Sequence, residues 1–198
     1  MRCLYDTLQS MAKLLLILCF IHTTFCKEIQ LSTGWNIISG LAGNPTTLLS
    51  NYQDIIIIWS NKNGVWSFST LHSLGDELKK EFNQNISFDP KLPYYLKTSK
   101  PIVLSVFPST LQIDLTPGWN FVSGVSIDVN QIKTLNPNIK EVHTLETSSW
   151  ISKMYPDISH LNNIKTISTM TDTTGYWIRT SQAIKGFNIG VFDEATFE

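Results

Sequence analysis

Ile29-Gln30-Leu31-Ser32-Thr33-Gly34-Trp35-Asn36 returns later in the chain as Ile113-Asp114-Leu115-Thr116-Pro117-Gly118-Trp119-Asn120. Trp35 and Trp119 stand 84 positions apart, and a Ser-Gly pair follows each copy (Ser39-Gly40, Ser123-Gly124). The same offset of 84 relates Trp66 to Trp150. Further on, Tyr94-Tyr95-Leu96-Lys97-Thr98-Ser99 returns as Tyr176-Trp177-Ile178-Arg179-Thr180-Ser181 at an offset of 82. A phrase that recurs with its spacing kept marks one structural unit used twice. The expected organisation is a leader over 1–26, a repeat over 27–110, a second repeat over 111–190, and an acidic tail over 191–198.

Within a repeat, alternating apolar residues (Ile29/Leu31, Ile113/Leu115) predict an opening strand with one buried face. Thr33-Gly34 and Pro117-Gly118 then read as turns, with Gly taking positive φ. Asn44-Pro45 reads as the cap and first residue of a short helix carrying Leu48, Leu49 and Tyr52; Asp128 is the matching cap before Ile132 and Leu135. The run Asp54–Ser60 contains four consecutive isoleucines, as suits a strand buried on both faces. Asn63-Gly64 predicts a hairpin returning as Val65–Ser69. Its counterpart runs from Glu141–Leu145 through a turn to Trp150–Met154. Leu71, Leu74, Leu78 and Phe82 have helical spacing, matched more loosely by Ile158, Leu161 and Ile164. Each repeat is expected to close on a hairpin: Tyr94–Lys97 with Ile102–Val106, and Tyr176–Arg179 with Ala183–Ile189. The fold class that follows is mainly β, α+β with short helices, as two tandem pseudo-symmetric repeats packed together.

The first residues have the order of a secretory signal peptide: Arg2 and Lys13, then the apolar run Leu14–Ile21, then His22-Thr23-Thr24-Phe25-Cys26. That run is far short of the roughly 20 residues a membrane-spanning helix needs. All three cysteines, Cys3, Cys19 and Cys26, lie in this segment. A mature chain beginning at Lys27 has none, which excludes a disulfide framework and a cysteine metal site. Localisation is therefore expected to be periplasmic, cell-surface or secreted, with no membrane span after cleavage. The net charge of −1 supplies no basic field for nucleic acid.

A buried Trp removes roughly 150–250 Å² from water, about 4–6 kcal/mol gross at ~25 cal/mol/Å². A unit of this size is expected to lean on a few such side chains. Gly34, Trp35, Asn36, Trp66 and Tyr94, with Gly118, Trp119, Asn120, Trp150 and Tyr176, are read as structural: the rings as core anchors, the asparagines as closing the turn after Gly. Trp59 is matched by His143 and Tyr95 by Trp177, so these positions are free of the shared core. Trp59, Tyr95, His143 and Trp177 are therefore the candidate ligand-binding residues.

Catalytic and metal signals are absent from the spacing of His72, His143 and His160, and no phosphate-cradling glycine loop or nucleophile elbow is found. No cofactor or metal is expected. Scattered carboxylates (Asp54, Asp76, Glu77, Asp89, Asp114, Asp128, Asp157, Asp172) leave open one alternative, a secreted hydrolase with a carboxylate pair between the repeats. Asn85-Ile86-Ser87 is a glycosylation sequon.

The succession Gly34-Trp35-Asn36, Trp66, Pro93-Tyr94-Tyr95-Leu96 and its copy Gly118-Trp119-Asn120, Trp150, Gly175-Tyr176-Trp177-Ile178 resembles a repeat of exported bacterial proteins. Those proteins open each unit on Gly-Trp-Asn and close it on Gly-Tyr-Trp followed by an apolar residue. The resemblance implies a surface, secreted or periplasmic accessory module and carries over no catalytic residue. The reading reached is an extracytoplasmic, non-enzymatic binding or structural module. Its expected partner is a glycan, an envelope protein or, through edge strands, a further copy of itself.

Overall fold

A computed structural model describes residues 26–62, 64–72, 82, 86–108, 111–124, 126–155 and 165–189. The leader, the amphipathic segments at 73–81 and 158–164, the sequon asparagine and the tail lie outside the described residues. The protein is mostly strand. In chain order these are β1 (Lys27–Leu31), β2 (Gly34–Ile38), helix α1 (Pro45–Asn51), β3 (Ile55–Lys62), β4 (Val65–Ser69), β5 (Tyr94–Thr98) and β6 (Ile102–Val106). There follow β7 (Leu111–Leu115), β8 (Gly118–Ser123), β9 (Ile127–Asp128), helix α2 (Val129–Leu135), β10 (Ile139–Glu146), β11 (Ser149–Met154), β12 (Thr169–Met170), β13 (Gly175–Thr180) and β14 (Ile184–Ile189).

Two antiparallel four-stranded sheets, ordered β2-β5-β3-β4 and β8-β13-β10-β11, share both strand order and register. Gly34 faces Thr98 as Gly118 faces Thr180; Asn36 faces Leu96 as Asn120 faces Ile178. Even the irregularity is shared. The register shifts between Ile55 and Ile57 on β3, and between Ile139 and Glu141 on β10, a one-residue bulge that bends the strand. The ribbons β1–β6 and β7–β14 flank the sheets. Both helices begin where their caps predict: Asn44 Oδ1 accepts from Thr46 N at 2.8 Å and Asp128 Oδ1 from Asn130 N at 2.7 Å.

The expected closing hairpins do not form. β5 lies between β2 and β3, and β13 between β8 and β10. Both edges of each strand are thus occupied, and β6 and β14 turn away to pair with β1 and β7. The Asn63-Gly64 hairpin and its counterpart are present as β3–β4 and β10–β11.

Each sheet covers its own core. One holds Leu31, Ile38, Leu49, Ile55, Ile58, Tyr94, Leu96 and Leu104. The other holds Leu115, Val122, Ile132, Ile139, Val142, Tyr176, Ile178 and Phe187. The two tyrosines are anchors as expected. Tyr94 Oη accepts from Asp89 N at 2.7 Å and Tyr176 Oη from Thr171 N at 2.9 Å, and burial pushes the Tyr94 phenol up to about 12.

The tryptophans require correction. Trp35 is 37% exposed, Trp119 49% and Trp150 52%, and Trp66 is half-buried. None belongs to either core. Successive residues of a strand point to opposite faces. With Ile38 and Val122 turned inward, Trp35 and Trp119 stand on the other face.

The asparagines do close the turn. Asn36 Oδ1 accepts from Ser32 N at 3.0 Å, and its Nδ2 donates to Ser32 O at 2.8 Å and Gly34 O at 3.1 Å. Asn120 makes the same three bonds to Thr116 N, Thr116 O and Gly118 O at 2.9, 2.8 and 3.1 Å. Gly34 and Gly118 take φ of 97° and 95°, where a Cβ is strained.

Between the halves, Ile38 bridges to Thr174, Ser39 N donates to Thr173 O at 2.9 Å, and Ser123 Oγ donates to Lys91 O at 2.7 Å. A ring stack crosses the junction. Phe121 lies against Tyr95 (centroids 5.1 Å) and Trp177 (4.8 Å). Gly175 sits where any Cβ would fall on Pro93 and Ile37.

Because the two asparagines make matching bonds, Asn36→Ala and Asn120→Ala are each expected to lower the unfolding free energy by about 1–2 kcal/mol. Urea titration at unchanged slope measures this. A large inequality between the two would show that the turns differ in weight.

Candidate functional site

The second face of the first sheet is aromatic. Trp35 on β2, Trp59 on β3, Trp66 on β4 and Tyr95 on β5 share it. Register makes them neighbours: Trp59 lies opposite both Tyr95 and Phe68. The rings meet mostly at steep angles. Trp35 and Tyr95 are 6.4 Å apart at 86°, Trp59 and Trp66 6.3 Å at 77°, Trp59 and Phe82 4.9 Å at 87°, and Trp66 and Tyr95 5.9 Å at 45°. They wall a groove of about 580 Å³, closed on its far side by Leu145, Ser148 and Trp150 of the second half.

That far wall is the β10–β11 turn. Thr147 and Ser148 both take positive φ, 51° and 62°, the geometry a two-residue hairpin turn demands and Gly or Asn usually supplies. Ser148 Oγ lies 3.2 Å from Thr33 O and 3.1 Å from Trp35 O. Its one proton ties the strained turn to the start of β2 and so sets the groove's width.

Of the four residues expected to bind ligand, the structure brings Trp59 and Tyr95 together in this groove. Trp177 stands behind it. Its Nε1 donates to Tyr95 Oη at 2.5 Å, and it stacks on Phe121, so it positions Tyr95. Burial raises the Tyr95 pKa and the bond from Trp177 lowers it, with burial the larger; the phenol stays neutral. His143 lies on the second sheet, 5.1 Å from Trp119. Trp35, Trp66 and Trp150, expected as core, are instead groove walls.

His143 belongs to a polar ladder that sequence inspection did not assemble. Ser152 Oγ is 2.5 Å from His143 Nδ1, and His143 Nε2 is 2.9 Å from Glu141 Oε2. The Arg179 guanidinium holds the other Glu141 oxygen, with Nε at 2.6 Å, and lies 6.0 Å from the Trp119 ring centroid. Serine, histidine and carboxylate in a row invite comparison with a nucleophilic triad. However, Ser152 is only 4% exposed, the imidazole meets it through Nδ1, and Arg179 already neutralises the acid. The ladder satisfies buried polar groups across three strands.

Burial pushes the Glu141 carboxyl up, but hydrogen bonds from His143 and Arg179, together with their charge, outweigh it and hold the group below the ordinary glutamate value. No carboxylate lines the groove among the described residues. Among the described residues no helix is long and apolar enough to cross a membrane. No protein-family model, curated protein or solved structure matches the chain.

A carboxyl with a depressed folded-state pKa contributes stability above its unfolded-state pKa and loses it as pH falls through the folded value. Glu141→Gln is therefore expected to cost about 1–2 kcal/mol at neutral pH. The difference from the parent should vanish below the ordinary carboxylate range. Urea unfolding followed from neutral pH down through the acid range measures both; a difference between the two proteins that shows no decline with pH would show that the carboxylate charge is not its source.

Proposed function

We propose that this chain is an extracytoplasmic, non-enzymatic binding module, a duplicated unit whose ligand lies in the aromatic groove between its halves. The observation that carries the reading is the clustering of Trp35, Trp59, Trp66, Tyr95 and Trp150 around one cavity, with two of the indoles substantially exposed. Exposed aromatic surface gathered into a concavity costs solubility and marks a recognition site more often than a packing defect. Export is supported by the basic-then-apolar leader and by a cysteine-free chain from Lys27, the residue at which β1 begins. The resemblance to exported repeat proteins points the same way.

Binding without turnover fits the chemistry of the groove. Among the described residues its side chains supply rings and N–H groups but no carboxylate or imidazole, and the Ser152–His143–Glu141 row ends on a serine that is only 4% exposed. The two halves have diverged at the positions that matter for recognition. Trp59 and Tyr95 face the groove, whereas their counterparts His143 and Trp177 build the polar ladder and the ring stack.

Trp150→Ala removes a mostly exposed ring and is expected to change the unfolding free energy by no more than about 0.5 kcal/mol. On glycan and peptide arrays the same substitution, and Trp59→Ala, should abolish whatever signal the parent gives. Turnover of a glycan, ester or peptide that disappears in His143→Ala or Glu141→Gln would overturn the non-enzymatic reading. Expression of the full chain in a bacterial host should yield a periplasmic or secreted product with Lys27 at its N-terminus by mass spectrometry; a cytoplasmic product retaining Met1 would overturn the export reading.

A further inference from the structure

The hydrogen-bonding inventory of the groove says more about its ligand than its shape does. Indole Nε1–H is a donor and never an acceptor. Among the described residues no protein atom accepts from the indole N–H of Trp35, Trp59, Trp66 or Trp150, whereas that of Trp177 is taken by Tyr95 Oη. On the acceptor side the lining side chains have little to offer. Among the described lining residues the acceptors come down to two hydroxyl oxygens: Tyr95 Oη already receives Trp177, and Ser148 Oγ gives its proton to Thr33 O or Trp35 O and keeps its lone pairs; Phe82 and Leu145 have no polar side-chain atom. Among the described residues the groove therefore presents ring faces and unanswered donors, with no side-chain acceptor beyond those two hydroxyl oxygens.

We infer that the groove takes a proline-rich peptide in the polyproline II conformation, flanked by acidic residues; this rests on the groove being the binding site. An occupant must bring acceptors and few donors. A sugar brings many hydroxyls that donate as well as accept, and among the described residues no Asp, Glu, Asn or Gln lines the groove to receive them. A peptide added as a β-strand brings an N–H at every residue. An amphipathic helix satisfies its carbonyls internally and would leave the indole donors unanswered. A quaternary ammonium needs anionic or ring surroundings free of competing cations, and the nearby charge is the wrong sign. Lys97 Nζ stands 5.7 Å from the Trp35 ring centroid, and no carboxylate pairs with it among the described residues. A polyproline II segment has no internal hydrogen bonds, exposes its carbonyls, lacks N–H at each proline and presents rigid apolar rings. Rings set at steep angles to one another form slots for such side chains, and this is a recurring mode of recognition by aromatic grooves. The Lys97 ammonium at the rim selects acidic flanks over basic ones.

The test is fluorescence anisotropy with a fluorescein-labelled decaproline carrying two glutamates at one end. The comparison probes are the same decaproline with two lysines and a glycine-serine decamer with two glutamates. Chitohexaose and choline are titrated separately through the intrinsic tryptophan fluorescence. The glutamate-flanked decaproline is expected to bind saturably, tighter than the lysine-flanked one, with the glycine-serine peptide silent. Trp150→Ala should weaken it at least about tenfold. Trp119→Ala, an equally exposed indole outside the groove, should not. Lys97→Glu should reverse the order of the two flanks. Equal binding of both flanked forms would overturn the role of Lys97. Saturable binding of chitohexaose or choline that Trp150→Ala removes, with decaproline silent, would overturn the peptide and leave the groove a binding site. Silence of every probe with the folded parent overturns the inference, and if the arrays are silent as well, the groove reading falls with it.

Discussion

β5 and β13 each run between two partners, so their side chains must satisfy two packed faces at once. On β5, Tyr94 fills the core beneath the sheet while Tyr95, one residue on, faces the other half of the molecule. On β13 the same division falls to Tyr176 and Trp177. The period of two in an extended chain converts an adjacent pair of aromatics into a core anchor and a junction ring. Most of the remaining architecture follows from that division. The inward rings are pinned by backbone N–H groups from the preceding turns. The outward rings meet through Phe121 in one continuous stack and determine how the sheets face one another. The groove lies along the margin of that stack, where Tyr95 passes from packing partner to exposed wall.

The inward faces of the two halves have stayed alike and the outward faces have not. Ile38, Ile55, Ile58, Tyr94 and Leu96 correspond to Val122, Ile139, Val142, Tyr176 and Ile178, with conservative changes of volume that a core tolerates. Outward, Ile57, Trp59 and Phe68 correspond to Glu141, His143 and Ser152. An aromatic surface in one half occupies the same three-strand patch as a hydrogen-bonded row of serine, imidazole, carboxylate and guanidinium in the other. Both are self-consistent. The apolar patch is completed by rings packed edge to face, the polar one by partners for every buried donor and acceptor.

Local features were legible because their causes are local. The capping side chains Asn44 and Asp128, the Gly turns locked by Asn36 and Asn120, and the β3–β4 hairpin each depend on residues within a few positions of one another. Strand partners were less so. Tyr94–Lys97 and Ile102–Val106 read as a hairpin because they adjoin, yet two distant strands compete for β5 and win. The facing of the tryptophans was not legible either. Alternation shows that Trp35 and Ile38 point to opposite sides, but both are apolar, so it does not say which side is inward. The polar ladder, by contrast, was within reach. A turn that sets Leu145 against Trp150 also sets His143 against Ser152, and Glu141 shares their face two residues earlier. Its members lie close only across the hairpin and not along the chain, where catalytic spacings are defined.

The hydrogen atom that serves Gly175 as a side chain has a consequence for how the halves communicate. Its small volume lets β13 settle against Pro93 and Ile37, at the same seam where Ser39 and Thr173 share a hydrogen bond. A methyl group there would act as a wedge. It would leave each core intact while prising the two sheets apart, and the β10–β11 turn would be drawn away from Trp35 as they separated. The calibre of the groove is thus governed from a distance, by a contact that touches none of its walls.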